Sequence, residues 1–120
     1  MISIGIDLVE IKKFGPLLAM GDFLERCFCP SEIVRSKKSN KITYLAGRFA
    51  AKEAVVKALG TGLIEGISFT DIEIIQLPSG APEIILRNKA SAIALELGIN
   101  KWLISISHTE NYATAVAVGE

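Results

Sequence analysis

Apolar residues at helical spacing predict one long helix in the middle of the chain. Residues 47–60 are rich in alanine, lysine, arginine and glutamate and contain no proline, so they favour a helix. A broad apolar stripe runs along this segment and its upstream extension, made of Ile42, Leu45, Ala46, Phe49, Val56 and Leu59. Ser39 and Asn40 are typical of a loop or cap before such a helix, and Gly60 is typical of the left-handed residue that ends one.

Glu53 is the residue that does not fit this stripe. At about 100° per residue it falls about 20° from Ile42, on the apolar side of the helix. A carboxylate there loses water, which is costly unless a partner compensates it. Lys57 follows one turn later, in the favourable order for an ion pair. Two interpretations stay open: a structural salt bridge on the helix face, or Glu53 binding a metal and Lys57 binding a phosphate.

Strict alternation predicts a strand at the beginning of the chain. Apolar and polar residues follow one another in the order Ile2, Ser3, Ile4, Gly5, Ile6 and Asp7. The strand is expected to end at Asp7, which shares its polar side with Gly5. Residues 8–18 predict a helix, and Asp7 with Glu10 resembles a capping box at its start. Asp7 is therefore either a helix cap or a metal ligand at the end of the strand.

The remaining pattern predicts short elements of both kinds. A short helix or turn is expected at residues 23–28, helices at 30–38 and 88–97, and strands at 69–77, 83–86, 102–108 and 112–118. Residues 112–118 are almost all alanine and valine, which suits a central strand or a strand at a subunit interface. The sequence therefore predicts an α+β fold, in a single domain covering residues 1–120.

Composition narrows the function classes. Half of the 120 residues are hydrophobic, so a packed globule is expected. Lys+Arg and Asp+Glu balance at 13 each, which predicts no nucleic-acid partner and no recruitment to a charged membrane. No apolar run is long enough to span a bilayer and residues 1–3 do not resemble a signal peptide, so we expect a cytoplasmic protein. Cys27 and Cys29 lack zinc-site spacing and are expected to be reduced thiols.

Three further features carry candidate chemistry. His108, the only histidine, ends a predicted strand and is a polar turn residue, a donor to phosphate oxygens or a proton shuttle. Glycines at positions 60, 62 and 66 form a loop that is neither a Walker nor a Rossmann fingerprint. Residues 26–41 are locally basic, which indicates a solvated face or a docking surface for an acidic partner.

Three separated stretches together resemble a known family: residues 4–10 (IGIDLVE), 49–58 (FAAKEAVVKA) and 104–109 (ISISHT). They are similar to the small 4'-phosphopantetheinyl transferases, the family of the holo-[acyl-carrier-protein] synthases, over essentially the whole chain. The resemblance implies an antiparallel sheet wrapped around a long central helix. It also implies Mg²⁺-dependent transfer of 4'-phosphopantetheine from coenzyme A to a serine of apo-acyl carrier protein, with release of adenosine 3',5'-bisphosphate, in fatty acid biosynthesis.

The resemblance also assigns roles to residues. Asp7 and Glu53 would bind Mg²⁺ and, with Lys57, form the catalytic set. Coenzyme A would be bound by residues of the matching motifs, namely Lys57, His108, Arg48 and Gly60. The base that takes the serine proton stays open between Glu53 acting through a water and a water on the metal.

The family further implies a homotrimer with active sites at subunit interfaces. The first strand and helix would come from one chain and the long helix from its neighbour, so that Asp7 and Glu53 converge across protomers. Lys12 and Lys13 would dock an acidic acyl carrier protein. The 80–82 turn departs from relatives in having Ala81 where they often have lysine. A non-catalytic module that binds a nucleotide or a carrier protein, and a Mg²⁺-dependent nucleotide pyrophosphate hydrolase, are the alternative functions.

Overall fold

The computed structural model describes residues 2–60 and 66–120. The elements follow in the order β1 (Ser3–Glu10), α1 (Ile11–Phe14), a 3₁₀ turn (Gly15–Ala19), α2 (Phe23–Cys27), α3 (Pro30–Ser36), α4 (Lys41–Leu59), a second 3₁₀ turn (Phe69–Asp71), β2 (Ile72–Gln76), β3 (Pro82–Leu86), α5 (Asn88–Glu96), β4 (Trp102–His108) and β5 (Tyr112–Gly119).

The long helix α4 is the centre of the fold, and its predicted ends are confirmed. The Asn40 side chain accepts a hydrogen bond from the Thr43 amide at 3.2 Å, and Gly60 ends the helix with φ 77°. The helix is buried on nearly every side, including its alanine face, so the predicted apolar stripe was too narrow. Neither α4 nor any other helix in the described ranges has the length and hydropathy needed to cross a bilayer.

A three-stranded antiparallel sheet covers one side of α4. The strand order is β1-β5-β4. The alanine- and valine-rich strand β5 is therefore central, which is one of the two positions predicted for it. Ala113, Ala115 and Ala117 of β5 are buried, and β5 packs against α4. The hairpin β2–β3 forms a second, two-stranded sheet, and β2 also packs against α4. The predicted α+β class, a sheet wrapped around a long helix, is confirmed.

The first strand is longer than predicted, and the helix predicted at residues 8–18 is wrong. Pairing with β5 continues as far as Glu10, which lies opposite Tyr112. Only residues 11–14 form α-helix, followed by the first 3₁₀ turn. The predicted capping box is also wrong, because Asp7 lies within β1 and Glu10 precedes the helix without a side-chain cap. Long-range strand pairing here overrides a local pattern that suits a helix equally well.

Two other boundaries also differ from prediction. Phe69–Asp71 form a 3₁₀ turn before β2, and not the start of the strand. The Asp71 carboxylate accepts from the Ser68 amide at 3.1 Å and so favours the turn over an extended chain. The helix predicted to reach residue 38 ends at Ser36. Cys27 and Cys29 are buried free thiols, as expected.

The outer face of the three-stranded sheet is apolar and exposed. On β1 the apolar residues point away from α4: Ile4, Ile6 and Leu8 are 66%, 64% and 64% exposed. Their partners on β5 are Val118, Val116 and Thr114, and Leu103 of β4 lies beside Val118. The apolar face predicted for the first strand therefore exists but does not contribute to the core of this chain.

Candidate active site

The site begins with the unusually close contact of β1 and α4 at Gly5. A Cβ atom at Gly5 would lie 1.9 Å from the Ala54 carbonyl oxygen and 2.8 Å from the Ala58 amide nitrogen. Only glycine permits this approach, and small residues at 54 and 58 complete it. The Ser3 hydroxyl also donates to the Ala58 carbonyl. Because side chains alternate along a strand, Asp7 shares the α4-facing side with Gly5 and lies against the helix.

Asp7, Lys57 and Glu53 come together at this strand–helix contact. Lys57 Nζ lies 3.0 Å from Asp7 Oδ1 and 3.0 Å from the Ile6 carbonyl oxygen. The Asp7 side chain is 17% exposed, and that of Lys57 is 53% exposed. Within the described residues no ion pair joins Glu53 to Lys57, so the simple helix-face salt bridge is not what the lysine forms.

Glu53 has an altered acidity. Burial is the largest cause that raises the pKa of its carboxyl, and the negative charge of Asp7 raises it further. The ammonium of Lys57 lowers the pKa and offsets part of the rise. The two carboxylates therefore repel each other and favour a cation between them. Hard carboxylate oxygens are ligands that Mg²⁺ prefers, so the residues present fit this metal.

An open cleft of about 590 Å³ contains this group, which we call the carboxylate cleft. Its lining residues are Asp7, Leu8, Val9, Glu10, Lys13, Phe14, Leu17, Phe49, Glu53 and Lys57. Both acids belong to one chain, so their convergence does not require the neighbouring protomer that the resemblance implied. Lys12 and Lys13 are exposed on α1, and Lys13 reaches the rim of the cleft.

A second cavity, of about 560 Å³, is basic. Its lining residues are Arg35, Lys38, Ser39, Tyr44, Arg48, Gln76, Gly80, Pro82, Ile106 and His108. It carries two arginines, a lysine and the histidine, and no acidic residue is among its described lining residues. We call it the basic cavity. Such a concave, positively charged surface suits a ligand with several phosphate groups.

Arg48 is the residue of the basic cavity with an unmet bonding capacity. Its guanidinium carbon lies 4.0 Å from the centroid of the Tyr44 ring, a stacked arrangement that holds it in place. Its Nε is buried and has no hydrogen-bond partner among the described residues. Buried polar groups normally have a partner, so the unpartnered Nε is an exception among the described residues. His108, exposed at the end of β4, lines the same cavity.

The predicted site residues thus form two groups in one chain. Asp7, Glu53 and Lys57 share the carboxylate cleft, whereas Arg48 and His108 share the basic cavity. Residues 48 and 53 are about 140° apart around α4 and about 7.5 Å apart along it. Gly60 ends the helix, and the glycine-rich loop predicted after it lies largely outside the described residues.

Sequence reasoning missed several residues of these surfaces. Tyr44 is one turn before Arg48, a spacing that could have indicated the stacking. Arg35 and Lys38 belong to the basic segment 26–41, whose sequence does not show that they line a cavity with Arg48. Lys52, which lies in the matching stretch 49–58, forms a buried ion pair with Glu32 at 2.7 Å. The separation of these two residues in sequence hides that contact.

Comparisons with known proteins show the family of this chain. The sequence model of the 4'-phosphopantetheinyl transferase superfamily matches residues 3–117. The chain therefore belongs to this superfamily. It is 45% identical to the holo-[acyl-carrier-protein] synthase of Caldicellulosiruptor bescii, over 98% of this chain and 97% of that relative. It is 48% identical to the enzyme of the same name from Caldanaerobacter subterraneus, over 98% and 93%.

Solved structures show the same likeness. The holo-[acyl-carrier-protein] synthase of Neisseria meningitidis has a TM-score of 0.89 at 35% identity, over 100% of this chain and 99% of that one. The Helicobacter pylori enzyme, solved in complex with coenzyme A, has a TM-score of 0.85 at 39% identity, over 98% and 99%. The predicted family resemblance and fold are confirmed.

Proposed function

We propose that this chain transfers 4'-phosphopantetheine from coenzyme A to a serine of apo-acyl carrier protein, in a Mg²⁺-dependent reaction that serves fatty acid biosynthesis. The observation that carries the proposal is the meeting of Asp7, Glu53 and Lys57 in one cleft. Relatives over nearly the full length are holo-[acyl-carrier-protein] synthases, and one solved neighbour holds coenzyme A.

Coenzyme A is assigned to the basic cavity and to Lys57. Arg48 and His108 are proposed to bind its phosphates, because both residues line the basic cavity. Charge-assisted bonds of this kind are about twice as strong as neutral ones and orient a phosphate well. A coenzyme A contact at Gly60 remains a prediction from the motif alone.

The metal is assigned to Asp7 and Glu53. Mg²⁺ keeps several waters and usually takes only one or two protein carboxylates, which suits this pair. When bound, the metal would neutralise charge on the diphosphate of coenzyme A. Lys57 lies beside Asp7 with half of its side chain exposed, so its ammonium can reach a phosphate oxygen at the cleft.

In the proposed step the serine oxygen of the carrier attacks the phosphorus that bears pantetheine. The bond from that phosphorus to the bridging oxygen breaks, and adenosine 3',5'-bisphosphate leaves with the bond's electron pair. Lys57 offsets the charge that builds on the leaving phosphate. Glu53, acting through a water, is the proposed acceptor of the serine proton, because its carboxylate lies in the same cleft as Asp7 and Lys57.

We also propose that the chain works as a homotrimer with active sites between subunits. Two features support it: the exposed apolar outer face of the three-stranded sheet, and the orientation of the two residue groups on α4. An exposed apolar face of this kind marks an interaction site. Ile6→Lys on that face is expected to give monomers by light scattering after gel filtration. Leu95→Lys, which changes a leucine 79% exposed on α5, is the control expected to leave the assembly unchanged.

Carrier docking is assigned to Lys12 and Lys13, which are exposed beside the carboxylate cleft. An acidic carrier bound there would bring its serine to the cleft. Charges at a rim act mainly on the association rate, so replacing both lysines is expected to raise the KM for the carrier more than it lowers kcat.

Mass spectrometry of apo-acyl carrier protein incubated with coenzyme A, Mg²⁺ and this protein tests the function. A carrier that gains one phosphopantetheine supports transfer. Free phosphopantetheine with an unchanged carrier would support the hydrolase, and no product at all would support a binding module.

Matched variants sharpen that test. Asp7→Asn should abolish transfer, whereas Asp22→Asn, at an exposed acid outside the cleft, should not. Near-normal turnover of Glu53→Gln would exclude Glu53 as the base and speak against its metal role.

A further inference from the structure

A fully buried ion pair connects three of the elements that line the basic cavity. Lys52 of α4 is 0% exposed and Glu32 of α3 is 1% exposed. Lys52 Nζ lies 2.7 Å from Glu32 Oε1 and also donates to the carbonyl oxygens of Phe69 at 3.0 Å and Ile72 at 2.8 Å. All three ammonium protons are therefore partnered.

The carboxylate of Glu32 is equally well satisfied. Oε1 accepts a second hydrogen bond, from the Cys29 amide at 2.7 Å, and Oε2 accepts from the Ile74 amide at 2.8 Å. Besides the ion pair that joins them, the two side chains make four hydrogen bonds: one to Cys29 at the start of α3, one to Phe69 in the 3₁₀ turn before β2, and two to Ile72 and Ile74 in β2. One point on α4 is tied to three other parts of the chain.

Stability alone is a weak reason for such a pair. Desolvation of two charges offsets most of their attraction, and well-packed apolar residues of similar volume often do as well. What the pair does provide is fixed geometry, because every bond has one allowed direction. Each of the three elements that it joins supplies a residue to the basic cavity: Arg35 comes from α3, Arg48 from α4 and Gln76 from β2.

The carboxylate cleft shares α4 with the basic cavity, but its other elements differ. Its acids come from β1 and α4, and the rest of its lining comes from β1, α1, the first 3₁₀ turn and α4. Neither α3 nor β2 contributes a residue to it. A looser attachment of α3 and β2 to α4 should therefore disturb the basic cavity and leave the carboxylate cleft unchanged.

We propose that Lys52 and Glu32 are positioning residues that hold α3 and β2 against α4, so that Arg35 and Arg48 converge on the phosphates of coenzyme A. This inference rests on the proposed function, which assigns coenzyme A to the basic cavity. It predicts a defect in coenzyme A binding with little defect in the chemical step.

Glu32→Gln is the main test variant, because it changes one oxygen into an amide group. The new amide nitrogen cannot accept a hydrogen bond from the Ile74 amide, so the bond to β2 is lost with little change of volume. The KM for coenzyme A is expected to rise about tenfold, as for the loss of one charge-assisted bond, with kcat nearly unchanged. Lys52→Met, which removes the bonds to Phe69 and Ile72, should show the same separation of KM from kcat.

Ile93→Ala provides the control for a general loss of stability. Ile93 is a buried residue of α5 and lines neither the basic cavity nor the carboxylate cleft. It should lower the melting temperature and leave both kinetic constants unchanged when all proteins are assayed well below their melting temperatures. A rise in the KM for coenzyme A in this control as well would mean that lost stability, and not lost positioning, explains the effect.

Arg48→Ala separates failure of this inference from failure of the proposed function. If Arg48→Ala leaves coenzyme A binding unchanged in calorimetry, the basic cavity is not the coenzyme A site. If Arg48→Ala weakens binding but folded Glu32→Gln keeps the wild-type KM, or loses kcat alone, the positioning role is wrong. Global unfolding of both pair variants, seen by circular dichroism, would also overturn it, because a positioning pair leaves α4 and its sheet folded.

Discussion

Gly5→Ala is expected to slow phosphopantetheine transfer about a hundredfold, because it forces β1 away from α4. The new methyl group would lie 1.9 Å from the Ala54 carbonyl oxygen, where real contacts are essentially never shorter than 3.0 Å. Both partners at this contact are backbone atoms, so no side chain can turn aside. The strand must therefore shift by about 1 Å or more.

This shift acts directly on the catalytic group. Asp7 is two residues further along the same face of β1, and its Oδ1 lies 3.0 Å from Lys57 Nζ. Another 1 Å breaks that hydrogen bond and moves Asp7 relative to Glu53. A displacement of this size commonly costs about a hundredfold in rate, and the overpacking costs about 1–3 kcal/mol of folding stability.

The assay is the initial rate of carrier modification with coenzyme A and carrier both saturating, together with a thermal melt. Gly15→Ala is the matched control: Gly15 has helical φ −49°, and its added Cβ would lie 3.6 Å from Ile42, an ordinary contact. It should keep the wild-type rate and gain slightly in stability. A folded Gly5→Ala protein with wild-type kcat would refute the idea that this contact sets the position of Asp7.

Three further outcomes are expected. Burial raises the pKa of the Cys29 thiol to about 11, so in the native protein this thiol should resist a disulfide reagent at pH 8. It should react at once when the protein is unfolded in guanidinium, and rapid labelling of the native protein would contradict this expectation. Hydrogen bonds from Ser31 and Arg87 lower the pKa of the Glu73 carboxyl below its ordinary value of 4.5. The ionised carboxylate therefore stabilises the fold above that pH, and this stabilisation is lost as the pH falls through the lower pKa of the folded state. Glu73→Gln should make the melting temperature fall less steeply at acid pH, and an unchanged pH dependence would contradict this role. The Lys57 ammonium donates to Asp7 Oδ1 and so competes with a metal ion for this carboxylate. Lys57→Met should therefore bind Mn²⁺ more tightly in calorimetry without coenzyme A, and weaker binding would contradict that competition.

The parts of the fold that could be predicted are those set by local sequence. The cap at Asn40, the glycine end at residue 60 and strand β4 depend on residues next to each other in the chain. The helix predicted at residues 8–18 failed because β1 gains its bonds from β5, about a hundred residues away. The composition of residues 8–18 alone cannot reveal that pairing.

In the site, too, local sequence predicts some residues, whereas contacts between distant segments determine the others. Motif spacing pointed to Glu53 and Lys57, but their partner is Asp7, which reaches them only because Gly5 lets β1 lie on the helix. The buried pair of Glu32 and Lys52 was missed because neither residue carries a local sign of its partner. Contacts between distant segments depend on packing, which the pattern of single residues does not contain.

The opposite orientation of the two residue groups on α4 has a genetic consequence. If an active site takes the carboxylate cleft from one subunit and the basic cavity from the next, an Asp7→Asn chain and an Arg48→Ala chain are each inactive alone. Refolded together, the two variants would form mixed trimers in which one subunit interface combines an intact cleft with an intact cavity. Two inactive alleles would then complement each other, and the recovered activity would be proportional to the number of intact interfaces.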